Sequence, residues 1–160
     1  MIKVTLDSLQ EYLRKKKHDV QLQKETQQLY IILKIEGKEF PLFLRIFEQS
    51  ELLQLLVFMP TPIKPGTHAD VARLLHLLNK ELDIPGFGMD ENTHLAFYRC
   101  MLPIPGKKID ETLFDAYLKS IELICESITA PVFAVASGLA TYQEILQKAK
   151  ESVEKNKFKP

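Results

Sequence analysis

Leu6, Leu9 and Leu13 recur at helical spacing after Thr5, with Tyr12 beside them, and predict an amphipathic helix over residues 5–17. From Val20 to Met59 the pattern changes to short runs rich in Val, Ile, Leu, Phe and Tyr, broken at Thr26-Gln27-Gln28, Glu36-Gly37-Lys38 and Glu48-Gln49-Ser50-Glu51. These runs predict four strands, at about 20–25, 28–36, 39–48 and 51–59, joined tightly enough to form an antiparallel meander. Pro41 lacks an amide hydrogen, so the third strand should begin at an edge or a bulge.

A stiff loop, Pro60 to Gly66, leads to Thr67 and Asp70, spaced as a capping box with Asp in place of Glu. The helix that follows carries Val71, Leu74, Leu75, Leu77 and Leu78 and runs to about Leu82; His76 reads as a core or interface residue. Two strands come next, at about 86–90 and 94–102, turned by Glu91-Asn92-Thr93, with Gly86 and Gly88 marking a turn or a close backbone approach. Asp110 caps a helix with a broad apolar stripe from Leu113 to Ile128, and Pro131 opens a further short helix that Gly138 ends. Thr141 and Glu144 form a capping box for a last helix over Ile145, Leu146, Ala149 and Val153. The expectation is a single α+β domain over 1–154 in the order α-β4-α-β2-α-α, with helices packed on an antiparallel sheet and a frayed tail at 155–160.

Alternation along the strands then raises a question of cover. Phe40, Leu42, Leu44 and Ile46 share one face of the third strand, and Phe43 and Phe47 take the other, with Arg45 between them. On the fourth strand Leu52, Leu56 and Phe58 oppose Leu53, Leu55, Val57 and Met59. A sheet apolar on both faces needs something over each. Phe43, Phe47, Leu53, Leu55 and Val57 are the candidate partner-binding or dimer surface, covered by a second subunit or by a client strand and helix. The alternative is that the helix after Gly138 covers that face within the monomer.

Composition narrows the function by exclusion. Hydrophobic residues make up 46% of the 160 positions and charged ones 26%, as expected of a chain with a real core. The 21 basic residues balance the 21 acidic ones, so no global field points to nucleic acid or an acidic membrane. The order of charges is uneven. Residues 1–19 and 130–160 each carry five basic and three acidic residues, and the 11 basic and 15 acidic residues lie between them. Arg14, Lys15, Lys16 and Lys17 crowd the end of the first helix, where cations suit the helix dipole, and together with Lys107 and Lys108 they are candidates for binding a small anion or a lipid headgroup.

The start of the chain lacks an apolar signal core, and the longest uncharged stretch, Ser127 to Gln143, is too short and too broken to span a bilayer. Cys100 and Cys125 read as buried free thiols in a reducing cytosol. The four histidines show no zinc-ligand spacing, no G-x-S-x-G or Walker loop occurs, and Cys100 and His94 lie about 20 Å apart along one strand. No metal, cofactor or catalytic group is expected.

Particular stretches carry a resemblance. Leu77-Leu78-Asn79-Lys80-Glu81-Leu82 leads to Gly86-Phe87, followed by Leu95-Ala96-Phe97-Tyr98-Arg99, Leu102-Pro103-Ile104-Pro105-Gly106 and Asp110-Glu111. Ala130 to Gly138 follows, with Thr141 and Glu144 behind it. Over roughly 5–150 the chain resembles the YbjN-like proteins, labelled sensory-transduction regulators, and the related small domain of class I type III secretion chaperones. The resemblance implies a non-enzymatic cytoplasmic protein that forms a homodimer and, in the secretion branch, shields an extended segment of a client across apolar sheet patches. The alternatives are a YbjN-like regulatory protein and a small-anion or lipid-headgroup binder. The near-neutral charge departs from the acidic character of secretion chaperones.

Overall fold

The computed structural model describes residues 1–157. Its elements are β1 (Ile2–Lys3), α1 (Leu6–Lys15), β2 (Gln21–Gln23), β3 (Gln28–Ile35), β4 (Lys38–Phe47), β5 (Leu52–Phe58), α2 (His68–Glu81), β6 (Phe87–Asp90), β7 (Leu95–Pro103), β8 (Lys108–Ile109), α3 (Glu111–Ala136) and α4 (Tyr142–Lys157). The α+β class with an antiparallel sheet is as the sequence predicts.

Six strands form one sheet in the order β2-β3-β4-β5-β7-β6, every neighbouring pair antiparallel. The β3–β4 turn holds Glu36 and Gly37 at φ of 50° and 75°, the left-handed pair that a tight two-residue hairpin needs. Registered pairing of β4 to β5 begins only at Leu42, so Pro41 lies where β4 is paired on the β3 side, opposite Ile32, as its missing amide hydrogen anticipates. A separate two-stranded sheet joins β1 to β8, with Ile2 opposite Ile109. Two residues per strand are too few for alternation to register, and this sheet was not expected from the pattern.

The core lies on one side of the large sheet. Leu29, Ile31 and Leu33 of β3, Phe40, Leu42 and Leu44 of β4, Leu53, Leu55 and Val57 of β5, and Tyr98, Cys100 and Leu102 of β7 all face it. Leu9 and Leu13 of α1, Val71 and Leu74 of α2, and Phe114, Ile121, Cys125 and Val132 of α3 complete it.

Helix boundaries follow their caps, with two corrections. Thr5 accepts from the Ser8 amide at 3.3 Å, Asp110 accepts from the Leu113 amide at 3.0 Å, and Thr141 and Glu144 make the reciprocal box at 2.7 and 3.3 Å. Thr67 and Asp70 make no such box. The Thr67 hydroxyl turns to the Lys64 and Ala136 carbonyls, and Asp70 instead accepts from the Tyr142 amide at 3.2 Å, so it caps α4 from another element. The second correction concerns Pro131, which lies inside a continuous α3 rather than opening a new helix. An interior proline removes one backbone hydrogen bond and costs about 3 kcal/mol. Burial of Ile128, Val132 and Val135 on either side of Pro131 holds the helix through it. Helix α4 is also regular through Lys157, past the point where fraying was expected, and residues 158–160 lie outside the described residues.

Candidate functional site

Four strands of the sheet turn a second apolar face away from the helices. Residues directly opposite in an antiparallel pair share a face. Tyr30 is opposite Phe43, Phe43 opposite Leu56, Phe58 opposite Phe97, and Phe47 opposite Leu52. None of these side chains belongs to the buried core, whereas the strand neighbours of Tyr30, Phe43, Leu56, Phe58 and Phe97 do. Ile32 and Met101, on the same face, are 41% and 38% exposed.

The aromatic rings form a continuous row across the sheet. Centroids are 5.7 Å apart from Tyr30 to Phe43, 5.8 Å from Phe43 to Phe58 and 6.3 Å from Phe58 to Phe97, the last two edge-on. The row ends over Gly88. A Cβ there would stand 2.7 Å from Phe97 Cζ, so glycine is what lets the ring lie against the edge strand. Gly86 is tied to the same strand, its carbonyl accepting from the Arg99 amide at 2.9 Å, and an added Cβ would strike the Arg99 carbonyl. Both glycines therefore mark a close backbone approach, as the sequence suggests.

Two arginines border the row. Arg45, two residues along β4 from Phe43, places its guanidinium 4.8 Å from the centre of the Phe47 ring. Arg99, two residues along β7 from Phe97, is exposed and lies opposite Leu56. On β3, β4, β5 and β7 the only carboxylate on this face is Glu39, at one end and opposite Lys34. The surface is thus aromatic at its centre and cationic at two points beside it, with Gln28 and Gln54 as further polar groups and the charges of Lys34, Glu39 and, on β6 opposite Leu95, Asp90 kept to its ends.

The expected partner surface needs correction in three of its five members. Phe43 and Phe47 lie on the open face. Leu53, Leu55 and Val57 have no exposed surface and face the helices. The turn Glu48–Ser50, with Glu51 at a φ of 48°, sets a register in which odd-numbered residues of β4 meet even-numbered residues of β5. Leu52, Leu56 and Phe58 are therefore the companions of Phe43 and Phe47. Nor does the last helix cover this face. Helix α4 is held to α2 through Asp70 and through Arg73, which stacks on the Tyr142 ring at 4.2 Å.

Three of the six candidate anion-binding cations are already paired. Lys15 meets Glu11 at 2.8 Å, Lys16 meets Asp115 at 2.6 Å and Lys107 meets Glu48 at 3.5 Å. Arg14 and Lys17 sit exposed at the end of α1, and Lys108 is committed by its backbone to β8. Burial opposes ionisation of Asp115, but hydrogen bonds from Lys16 and from the Tyr12 hydroxyl, the latter at 2.8 Å, outweigh it and hold the carboxyl below its usual value.

Both cysteines are buried and free. Burial raises the Cys100 thiol and pushes Cys125 up to about 12, which suits packing rather than nucleophilic attack. His68 and His94, 26 residues apart, meet through Nε2 and Nδ1 at 3.0 Å, a contact that no local spacing announces. Among the described residues no three His, Cys, Asp or Glu side chains gather as metal ligands, and no helix is long and apolar enough to cross a membrane.

A family model, YbjN, described as "Putative bacterial sensory transduction regulator", matches residues 5–133. No curated protein matches the chain. Among solved structures, the crystal structure of "YbjN, a putative transcription regulator from E. coli" is similar to this chain at a TM-score of 0.61 and 10% identity, over 81% of this chain and 94% of that one. That likeness is one of fold.

Proposed function

The chain belongs to the YbjN family, and we propose that it works there as a non-enzymatic regulatory adaptor that holds a segment of a partner protein on the open face of its sheet. The observation that carries this reading is the row Tyr30-Phe43-Phe58-Phe97 with Arg45 and Arg99 at its borders, on the face opposite the one that the helices of the described residues pack against. Contiguous apolar surface of this kind marks an interaction site rather than ordinary exterior. Aromatic and arginine side chains are the types that dominate binding energy at such surfaces. The occupant is specified by charge. Two arginines and no central carboxylate fit an apolar segment that carries acidic residues, and they disfavour a basic one.

Shielding of a client for secretion would use the same contact. The family description favours the regulatory form of the reading. Pairing of Lys15, Lys16 and Lys107 with carboxylates weighs against the anion-binding alternative.

The test is binding of two labelled peptides that alternate Phe and Leu with either Glu or Lys, followed by fluorescence polarisation. The acidic peptide should bind more tightly, and less so at high salt. Arg45→Glu with Arg99→Glu should invert the preference, and Phe43→Glu should abolish binding of both. Equal affinity for the two peptides, or binding indifferent to Phe43→Glu, would overturn the reading.

A further inference from the structure

Helix α4 begins beyond the end of the family match, and its half-buried residues, Tyr142, Ile145 and Leu146, lie in its first turns. Tyr142 is held by Asp70 and Arg73, and Ile145 packs against the core. There α4 and α2 flank an open cleft of about 720 Å³. Leu77 and Leu78 line one wall, Ala149 and Val153 the other, and Lys150 and Glu154 stand on the α4 rim. No residue of α4 is buried, and Val153 is 56% exposed. Isolated helices of this length are marginal in water, and a helix of a folded chain ordinarily draws its stability from burying its apolar stripe. On α4 the outer part of that stripe, Ala149 and Val153, is left exposed.

We propose that the cleft is filled by α4 of a second copy of this chain, the two helices antiparallel about a two-fold axis near Ser152, each lodged in the other's cleft. The layer so formed would run α2, partner α4, α4, partner α2. A two-fold contact requires a surface that complements itself. Lys150 and Glu154, four residues apart on the rim, meet that requirement. An antiparallel pairing centred on Ser152 sets Lys150 against Glu154 of the partner subunit, and the symmetry makes the contact twice. It also brings the two exposed Val153 side chains together near the axis. An acyl chain would occupy the apolar walls without using the charged rim. The contact is independent of the open sheet face and stands or falls without it.

The experiment is sedimentation equilibrium of the full chain over a dilution series. A dimer is expected, with Val153→Glu monomeric at concentrations where the parent is paired. Lys150→Glu alone and Glu154→Lys alone should each weaken association by about tenfold, and the double exchange should restore it, because each charge then meets its opposite again. Phe43→Glu should leave the dimer intact. All these side chains are exposed or half-buried, and circular dichroism of each variant separates lost association from lost folding. A monomer at every concentration would overturn the proposal. So would a double exchange no better than the single changes, dissociation by Phe43→Glu, or an acyl chain found in the cleft of a monomeric protein by native mass spectrometry.

Discussion

Leu55 and Leu56 are adjacent on β5, chemically identical, and point to opposite faces of the sheet. Leu55 has no exposed surface and packs under the helices, whereas Leu56 is half-buried between Phe43 and Arg99. Truncating Leu55 to Ala removes a fully buried side chain and leaves a cavity that its surroundings close only in part, at a cost of about 2–5 kcal/mol. Truncating Leu56 opens no enclosed cavity. Most of its surface is covered, so a transfer loss remains but no cavity cost is added, and the total should be about 1–2 kcal/mol. Urea unfolding followed by circular dichroism resolves the two. With a denaturant slope of about 1–3 kcal/mol per molar, Leu55→Ala should lower the midpoint by about 1–2 M, and Leu56→Ala by about half of that or less. The comparison should be made on dilute protein, so that no partner contributes. Equal losses would mean that Leu56 is as enclosed as Leu55, and the open face would not exist.

Other consequences follow from the same geometry. Gly88→Ala should force the Phe97 ring off the edge strand and weaken binding of the acidic peptide, while costing no more than about 1–2 kcal/mol of stability, because the ring has solvent to move into. Cys125, buried and with its thiol pushed up to about 12, should resist alkylation until the chain unfolds, so that its modification rate reports global opening. Asp115 ionises more readily in the folded chain than in the unfolded one, so it stabilises the fold above the ordinary carboxylate pKa, and that contribution is lost as pH falls through its lower folded value. Its side chain is 38% exposed, so Asp115→Asn should cost about 1 kcal/mol or less at neutral pH and flatten the acid limb of a stability–pH profile.

How far the sequence could lead depended on whether a feature was local. The helices with strong periodicity and the reciprocal Thr141–Glu144 cap were legible because their signal lies within one turn. Alternation also revealed that both sheet faces are apolar. It could not say which face of β4 continues into which face of β5, because that depends on whether the turn between them sets partners of like or unlike parity. The turn at Glu48–Ser50 sets unlike parity, so Phe43 joins Leu56 and Phe58 instead of Leu55 and Val57. Asp70 departs from its local signal for a related reason. Its spacing from Thr67 suits a local cap, but its partner, the Tyr142 amide, is 72 residues away. Pro131 carries a strong local stop signal, and the apolar residues flanking it override that signal once they are buried.

Partner binding on the sheet requires that its second face be open in the chain alone and closed by the partner. The chain has no tryptophan, so Phe58→Trp places a single reporter at the centre of the row. Acrylamide quenching of that indole, measured with and without the acidic peptide, tests the claim directly. Free protein should be quenched readily at every dilution, and saturating acidic peptide should shield the reporter and shift its emission to the blue. An indole already shielded in dilute protein, or one that the peptide leaves equally accessible, would contradict it.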